Sequence, residues 1–360
     1  MREVIRRTAR PIRALAAGMW MSALLALAAA PASAQTDSAQ GPIAIAVTDL
    51  GLPGTFQVLI NDHGLVVGIE SGTGLNFVLD TRTGAYEGSL AGFDLFDINK
   101  RGEVVGIYDA PSSAGGTQGV FWTQEGGRRL SSTFLARGIN THGDMAGNCI
   151  VGIDQVGPPC VLIRGRHDDF GTGVVQALDV GADSAYLVDI NDHGVAVGNA
   201  SYADGSVRAF TWSATEGVRF LDAPPSTSSV AAAINSHGQI AGAIQSENVS
   251  HATMWLAGSG AIAAELTSLN SFATAINDHG VLLVTALTAQ FEYDVWVPSR
   301  HSVATLPPAD PTASGVFAAD INNHGEIIGA QYHASPDGVV LASQLIMWKV
   351  AVRGAHQQVR

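Results

Sequence analysis

From residue 45 onward the chain alternates short apolar runs with polar, glycine-bearing breaks. The clearest instance is Tyr186-Leu187-Val188-Asp189-Ile190, then Asn191-Asp192-His193-Gly194, then Val195-Ala196-Val197-Gly198. Two apolar strands separated by a four-residue polar turn ending in glycine read as a β-hairpin. Comparable strands precede similar turns at residues 55–60, 229–234 and 271–276. The pattern predicts many short strands and tight turns rather than long helices.

The hairpin is one copy of a repeat. Ile-Asn-x-x-Gly recurs seven times, and its Asn residues are Asn61, Asn99, Asn140, Asn191, Asn235, Asn277 and Asn322. The partner glycines are Gly64, Gly102, Gly143, Gly194, Gly238, Gly280 and Gly325. Successive Asn residues lie 38, 41, 51, 44, 42 and 45 apart. Asn at the first position of a turn accepts a backbone N–H two residues on, and Gly at the fourth supplies the positive φ of a bulged hairpin. These fourteen residues are therefore expected to be structural turns.

A second landmark follows each turn. Trp122, Trp212, Trp255, Trp296 and Trp348 fall 19 to 26 residues after the motif Asn, with Leu79 and Ile163 at the matching place in repeats one and three. Each Trp ends a short strand, and a further strand follows a turn. Four strands at a period of roughly 40–45 residues fit a β-propeller blade. Residues 45–50 read as a fourth strand lacking its first three, and the seventh copy stops soon after Trp348. A ring joins such ends and leaves no open edge at the seam. The expected fold is all-β: a seven-bladed β-propeller of about four-stranded blades, closed when the N-terminal strand completes the last blade. An open solenoid and paired sandwiches are the competing architectures.

With these motifs in hand, the chain resembles the HAF-type repeat proteins, a bacterial group of extracellular repeats. The family pattern joins Ala-Ile-Asn-x-x-Gly-x-Val-x-Gly to a His-Ala-Phe-x-Trp strand and an Asp-Leu-Gly strand. The first part is strong in all seven copies. The second is closest at Arg208-Ala209-Phe210-Thr211-Trp212 and His251-Ala252-Thr253-Met254-Trp255, the third at Asp49-Leu50-Gly51. The resemblance spans nearly all of residues 45–350. It implies export and a repeat fold, and brings no catalytic residue with it.

The N-terminus points to the same compartment. Arg2, Arg6, Arg7, Arg10 and Arg13 precede a mostly apolar stretch over 15–30, and Ala32-Ser33-Ala34 forms a small-residue cleavage site. This is the layout of a secretory signal peptide, shorter than the roughly 20 apolar residues of a spanning helix. The expected organisation is 1–34 signal peptide, 35–44 linker, 45–350 propeller and 351–360 tail, in a secreted or periplasmic protein. The full chain carries 19 basic and 32 acidic residues, a formal charge of −13. Such an acidic surface repels phosphate backbones, so nucleic acid is not an expected partner. Once the signal is cleaved, no membrane association is expected, and the protein is read as a monomer.

Candidate chemistry is sparse. Asp-Ile-Asn-Asp-His-Gly has the flavour of a calcium loop, but His193 and Val197 stand where oxygen ligands would be required. Six turns carry a histidine, His63, His142, His193, His237, His279 and His324. Equivalent turns on separate blades are too far apart to share a zinc ion. Nucleophile-elbow, zincin and phosphate-loop motifs are absent from the sequence. Asp168, Asp169 and Glu292 are carboxylates that could meet across a ring centre. No cofactor, metal or catalytic residue is assigned. Cys149 and Cys160 align with neighbouring strands of the same repeat, and an exported protein permits the disulfide they would form. The favoured function is an exported interaction or scaffold propeller with an unidentified protein or glycan partner. A lectin-like propeller and a hydrolase or lyase with a site in the channel are the alternatives.

Overall fold

A computed structural model describes residues 43–352, apart from 56, 71–72, 89–91, 110–115, 154, 164–173, 247–248, 289–290 and 336–338. The expected signal peptide, residues 35–42 of the expected linker and most of the tail lie outside the described residues, while Ile43 and Ala44 belong to the first strand. The chain forms seven antiparallel sheets of four strands each. Six take their strands consecutively. The seventh has its strands in the order Ile43–Pro53, Val340–Val352, Glu326–Ala334, Gly315–Ile321. The first strand of the chain is thus the outer strand of the last blade, with Val47 opposite Trp348. The architecture is the seven-bladed β-propeller that the repeat predicts.

The core is divided rather than central. Seven apolar clusters fill the gaps between neighbouring blades. In one, Ala146 and Val161 of blade three meet Leu187, Ile190, Phe210 and Trp212 of blade four. In another, Ile328 and Leu345 of blade seven meet Val58, Ile60 and Phe77 of blade one. Each blade is apolar on both faces because it faces a neighbour on both sides. The recurring tryptophans lie here, all between 0% and 5% exposed. The indole N–H of Trp255 donates to the Asp222 carbonyl at 2.8 Å, and that of Trp348 to the Pro307 carbonyl at 2.6 Å, so the polar corner of these rings is satisfied.

Antiparallel connectivity sorts the loops. Turns from inner to second strand, and from third to outer strand, leave at one end of each blade. The hairpins from second to third strand and the connections to the next blade leave at the other. The seven motif turns therefore share one face, here the turn face, and the opposite end is the loop face. Cys149 and Cys160 form a disulfide with Cα atoms 5.5 Å apart, across the second and third strands of blade three. A loop this short contributes about 3 kcal/mol in the chain-entropy account.

Candidate functional site

The motif residues behave as turns and as something more. All seven glycines hold φ between 68° and 82°, the left-handed region where a side chain is strained. Each motif Asn is buried. Its Oδ1 caps its own turn: that of Asn191 accepts the His193 N–H at 3.1 Å and the Val195 N–H at 3.0 Å. Its Nδ2 reaches out of the blade. Asn61 donates to the Asn99 carbonyl, Asn99 to Asn140, Asn140 to Asn191, Asn191 to Asn235, Asn235 to Asn277, Asn277 to Asn322, and Asn322 back to Asn61, all at 2.9–3.1 Å. Seven side-chain amides thus form a closed, one-directional ring of hydrogen bonds around the axis. Each carbonyl in the ring also accepts from its own turn glycine, as Asn191 does from Gly194.

Inside this ring sit the residues that follow each Asn. Lys100 Nζ lies 3.5 Å from Asp62, 3.9 Å from Asp192 and 4.0 Å from Asp278, which come from three other blades. Thr141 donates its N–H and hydroxyl to Asp192, Ser236 does the same to Asp278, and Asn323 Nδ2 bridges Asp62 and Asp278. One ammonium therefore plugs the turn-face mouth of the channel among three carboxylates, whose oxygens are also bonded by their neighbours. Among the described residues no group of His, Cys, Asp or Glu has the arrangement of a metal site. The six turn histidines are exposed on separate turns around the rim.

A second carboxylate layer lies two residues before the motif Asn. Asp97, Asp189 and Asp320 each accept the N–H of the following Ile with one oxygen and an Ile N–H of the next blade with the other. They occupy places the sequence offered as first calcium ligands, and the structure spends them on backbone groups beside a strand bulge. Burial pushes Asp189 and Asp320 up to about 6, against these N–H bonds, and raises Asp97 as well, with repulsion from Asp189 and Asp320 adding to it. The folded pKa of Asp320 stands above the ordinary 3.8, so the native state holds the proton longer than the unfolded chain. Its contribution to stability is full below about pH 4 and declines as pH rises through 6. The cost of Asp320→Ala is therefore expected to be larger at pH 4 than at pH 7, by on the order of 2 kcal/mol. Urea unfolding of both proteins across that range measures it, and a pH-independent difference would contradict the raised pKa.

The carboxylates singled out from sequence do not build a site. Glu292 is exposed at the start of the third strand of blade six (Glu292–Val297), away from the axis. Asp168 and Asp169 lie outside the described residues.

The loop face holds what sequence reasoning missed. A pocket of about 390 Å³ opens between blades two, three and four. Its lining joins Arg137, Asn148, Asp179 and Asp183 to apolar residues including Ile107, Leu135, Pro159 and Leu178. The Arg137 guanidinium carbon lies 5.1 Å from the Phe96 ring centre and 5.6 Å from that of Tyr186. Its Nε is buried without a hydrogen-bond partner, and burial lowers its pKa. Asn148 lies beside it. Its Nδ2 donates to the Gly157 and Ala185 carbonyls, both at 3.0 Å, while its buried Oδ1 has no partner. The disulfide joins residues adjacent in sequence to Asn148 and Pro159 and so braces this wall.

The bulge explains how Arg137 arrives there. Blades two to seven carry one unpaired residue in the inner strand, namely Phe96, Arg137, Val188, Ala232, Thr274 and Ala319. Only blade three places a charge at this position. The sequence contained that signal, one arginine in an otherwise uncharged column, but it appears only after the bulge has been aligned. Close approach of blade four reinforces the site: a Cβ on Gly138 would stand 2.6 Å from the Asp189 Cα.

Two hairpins flank this face. Blade three's (Met145–Gly152 with Gln155–Ile163) leaves Val151 63% and Ile153 65% exposed. Blade seven's (Glu326–Ala334 with Val340–Val352) leaves Val339 57% and Leu341 70% exposed. The long third repeat contributes the first of these hairpins. Its further surplus, over 164–173, lies outside the described residues.

No protein-family model matches the chain, and no curated protein matches it in sequence. Solved structures match its fold. The β-propeller domain of Cps50 (Swd1) from Myceliophteria thermophila superposes with a TM-score of 0.55 at 9% identity, over 85% of this chain and all of that one. A prolyl endopeptidase gives a TM-score of 0.53 at 13% identity, over 84% of this chain and 51% of its own. The acylaminoacyl peptidase of Pyrococcus horikoshii gives 0.50 at 14%, over 77% of this chain and 50% of its own. This chain thus spans about half the length of the two peptidases. At such identities the likeness establishes the propeller fold and nothing about activity.

Proposed function

We propose that this chain is an exported interaction propeller of the HAF-type repeat group, with its loop face as the binding surface. The carrying observation is the contrast between the two faces. On the turn face the motif polar groups are bonded to one another, through the Asn ring and the Lys100 cluster. On the loop face the hairpin of blade three exposes Val151 and Ile153 beside a pocket with an uncompensated cation, and the hairpin of blade seven separately exposes Val339 and Leu341. Exposed apolar groups rimmed by polar surface mark interaction sites. The disulfide suits an oxidising compartment, and among the described residues no helix is long and apolar enough to cross a membrane. Those two facts, with the N-terminal pattern, support export. The lectin reading needs exposed aromatic platforms, and the recurring tryptophans are buried between blades. The channel-enzyme reading gains no specific support, because the axial carboxylates are held by Lys100 and by backbone N–H groups.

The test compares the mature chain with a Val151→Glu/Ile153→Glu double variant, both immobilised, against the exported protein fraction of the source cells and a glycan array. A ligand retained by the wild type should fall at least about tenfold on the variant, an apolar-contact loss of roughly 1.4 kcal/mol or more. The turn-face variant His279→Gln should retain it fully. Equal retention by all three proteins would overturn the assignment of the loop face.

A further inference from the structure

In the Arg137 pocket a charged group lacks its complement. A buried guanidinium normally pairs with a carboxylate or fills its five donors. Arg137 has neither a hydrogen bond nor an ion pair among the described residues. Its two neighbours are aromatic rings, Phe96 and Tyr186, which hold the cation by their faces, and its buried Nε has no acceptor. The chain as a whole is acidic, with 32 carboxylate residues for 19 basic ones, so an unpaired arginine is not for want of partners. Beside it, the Asn148 Oδ1 is an acceptor without a donor. Its orientation is fixed, because Nδ2 already donates to two carbonyls. Arg137 and Asn148, each with an unsatisfied polar atom, thus both line one cavity of about 390 Å³. That volume falls in the range of small-molecule sites.

We propose that this pocket binds a small organic carboxylate bearing an apolar body and a hydrogen-bond donor close to the acid group, such as a hydroxy acid or amino acid. The planar carboxylate matches the guanidinium fork. The donor satisfies Asn148 Oδ1. The apolar body lies against Leu135, Pro159 and Leu178. Phosphate esters fit less well. They require several donors around one group, and Asp179 and Asp183 on the pocket lining oppose a dianion. Removal from water strengthens the Arg–carboxylate pair, and the aromatic rings hold the guanidinium before the ligand arrives.

This inference rests on the reading that the loop face binds ligands, and its test is separable from that one. The probes are phenyllactate, L-leucine, N-acetyl-L-phenylalanine, 3-phenylpropionate, phenyllactamide and inorganic phosphate, titrated by calorimetry into the mature disulfide-bonded protein. At least one donor-bearing carboxylate should bind with Kd below about 1 mM. Phenyllactamide, which lacks the charge, should bind at least about tenfold more weakly than phenyllactate, and 3-phenylpropionate, which lacks the donor, should be intermediate. Arg137→Gln should abolish binding and Arg137→Lys should retain part of it. Ala182→Trp fills the pocket while keeping Arg137, and should also abolish binding, so the result does not depend on the Gln variant folding. Binding of no carboxylate at about 5 mM would overturn the proposal, as would phosphate binding as tightly as the organic acids. So would unchanged affinity in folded Arg137→Gln. The Val151→Glu/Ile153→Glu variant should bind these probes normally: carboxylate binding without a macromolecular partner would sink only the earlier reading, and the reverse only this one.

Discussion

Asn191→Asp should destabilise the protein by about 3 kcal/mol or more at pH 7.5 and by clearly less at pH 5. The two side chains have nearly the same shape. Oδ1 can still cap its turn by accepting the His193 and Val195 N–H groups. The second atom decides the outcome. In the native ring the Asn191 amide donates to the Asn235 carbonyl at 3.1 Å, in a site only 6% exposed. A carboxylate there sets acceptor against acceptor with little water to intervene. It can restore the bond only by taking up a proton, so its folded pKa must rise above the unfolded value near 3.9. Stability is then lost as pH climbs past the unfolded pKa toward the folded one, and the penalty is full above both. Asn191→Ala, which has no titrating group, should cost a similar amount at both pH values. Guanidinium unfolding of the three proteins at pH 5 and 7.5 tests this, with Asn277→Asp as a second position whose amide donates to Asn322. Equal costs for Asn191→Asp at the two pH values would mean that the ring bond does not carry the inter-blade energy assigned to it.

That ring also marks where sequence reasoning stopped. Ile-Asn-x-x-Gly was legible as a turn because Oδ1 bonds residues two and four positions on, all inside one hairpin. The glycine was legible because its φ is set by the same turn. The Nδ2 bond was not, because its acceptor is 38 to 51 residues away in the chain, or 261 for the closing bond from Asn322 to Asn61, and becomes a neighbour only once the blades have assembled. Asp97, Asp189 and Asp320 follow the same rule. In the sequence they stand before a metal-like run; in the fold each answers a backbone N–H of the next blade. The tryptophans were legible as inter-blade packing, since a strand residue recurring in every unit has a repeated neighbour. Cys149 and Cys160 were legible because two positions on adjacent strands of one blade need only local pairing. Arg137 was hidden for a different reason. Ring symmetry explains what all blades share, and this arginine is what one blade does alone. Glu292, chosen as a scattered acid, carried no positional information and lies off the axis.

A chain that begins at Gly54 should be less thermally stable than one that begins at Gln35, by on the order of 10 °C, and should self-associate. The deleted strand, Ile43–Pro53, is the outer strand of blade seven and pairs with Val340–Val352 from Ile43–Val352 to Asp49–Ile346. Its loss uncovers one side of a long strand and exposes apolar groups in the last inter-blade cluster, where Ile43 is buried and Ile45 and Val47 are partly so. Fully burying an aliphatic side chain is worth about 1.5–3 kcal/mol, so several kcal/mol are at stake. The ring should remain closed at its inner edge. There Asp320 accepts from Ile60, Asn322 donates to the Asn61 carbonyl, and Asn323 donates to Asp62. The shortened chain should therefore fold, with native-like circular dichroism but a lower melting temperature and a bare strand edge. A synthetic peptide of residues 43–53 should restore both melting temperature and monodispersity by adding the strand in trans. A scrambled peptide should do neither. If the shortened protein instead melts with the chain that begins at Gln35 and remains monomeric, the inner seam alone closes the ring. The shared seventh blade would then be a consequence of closure rather than a source of it.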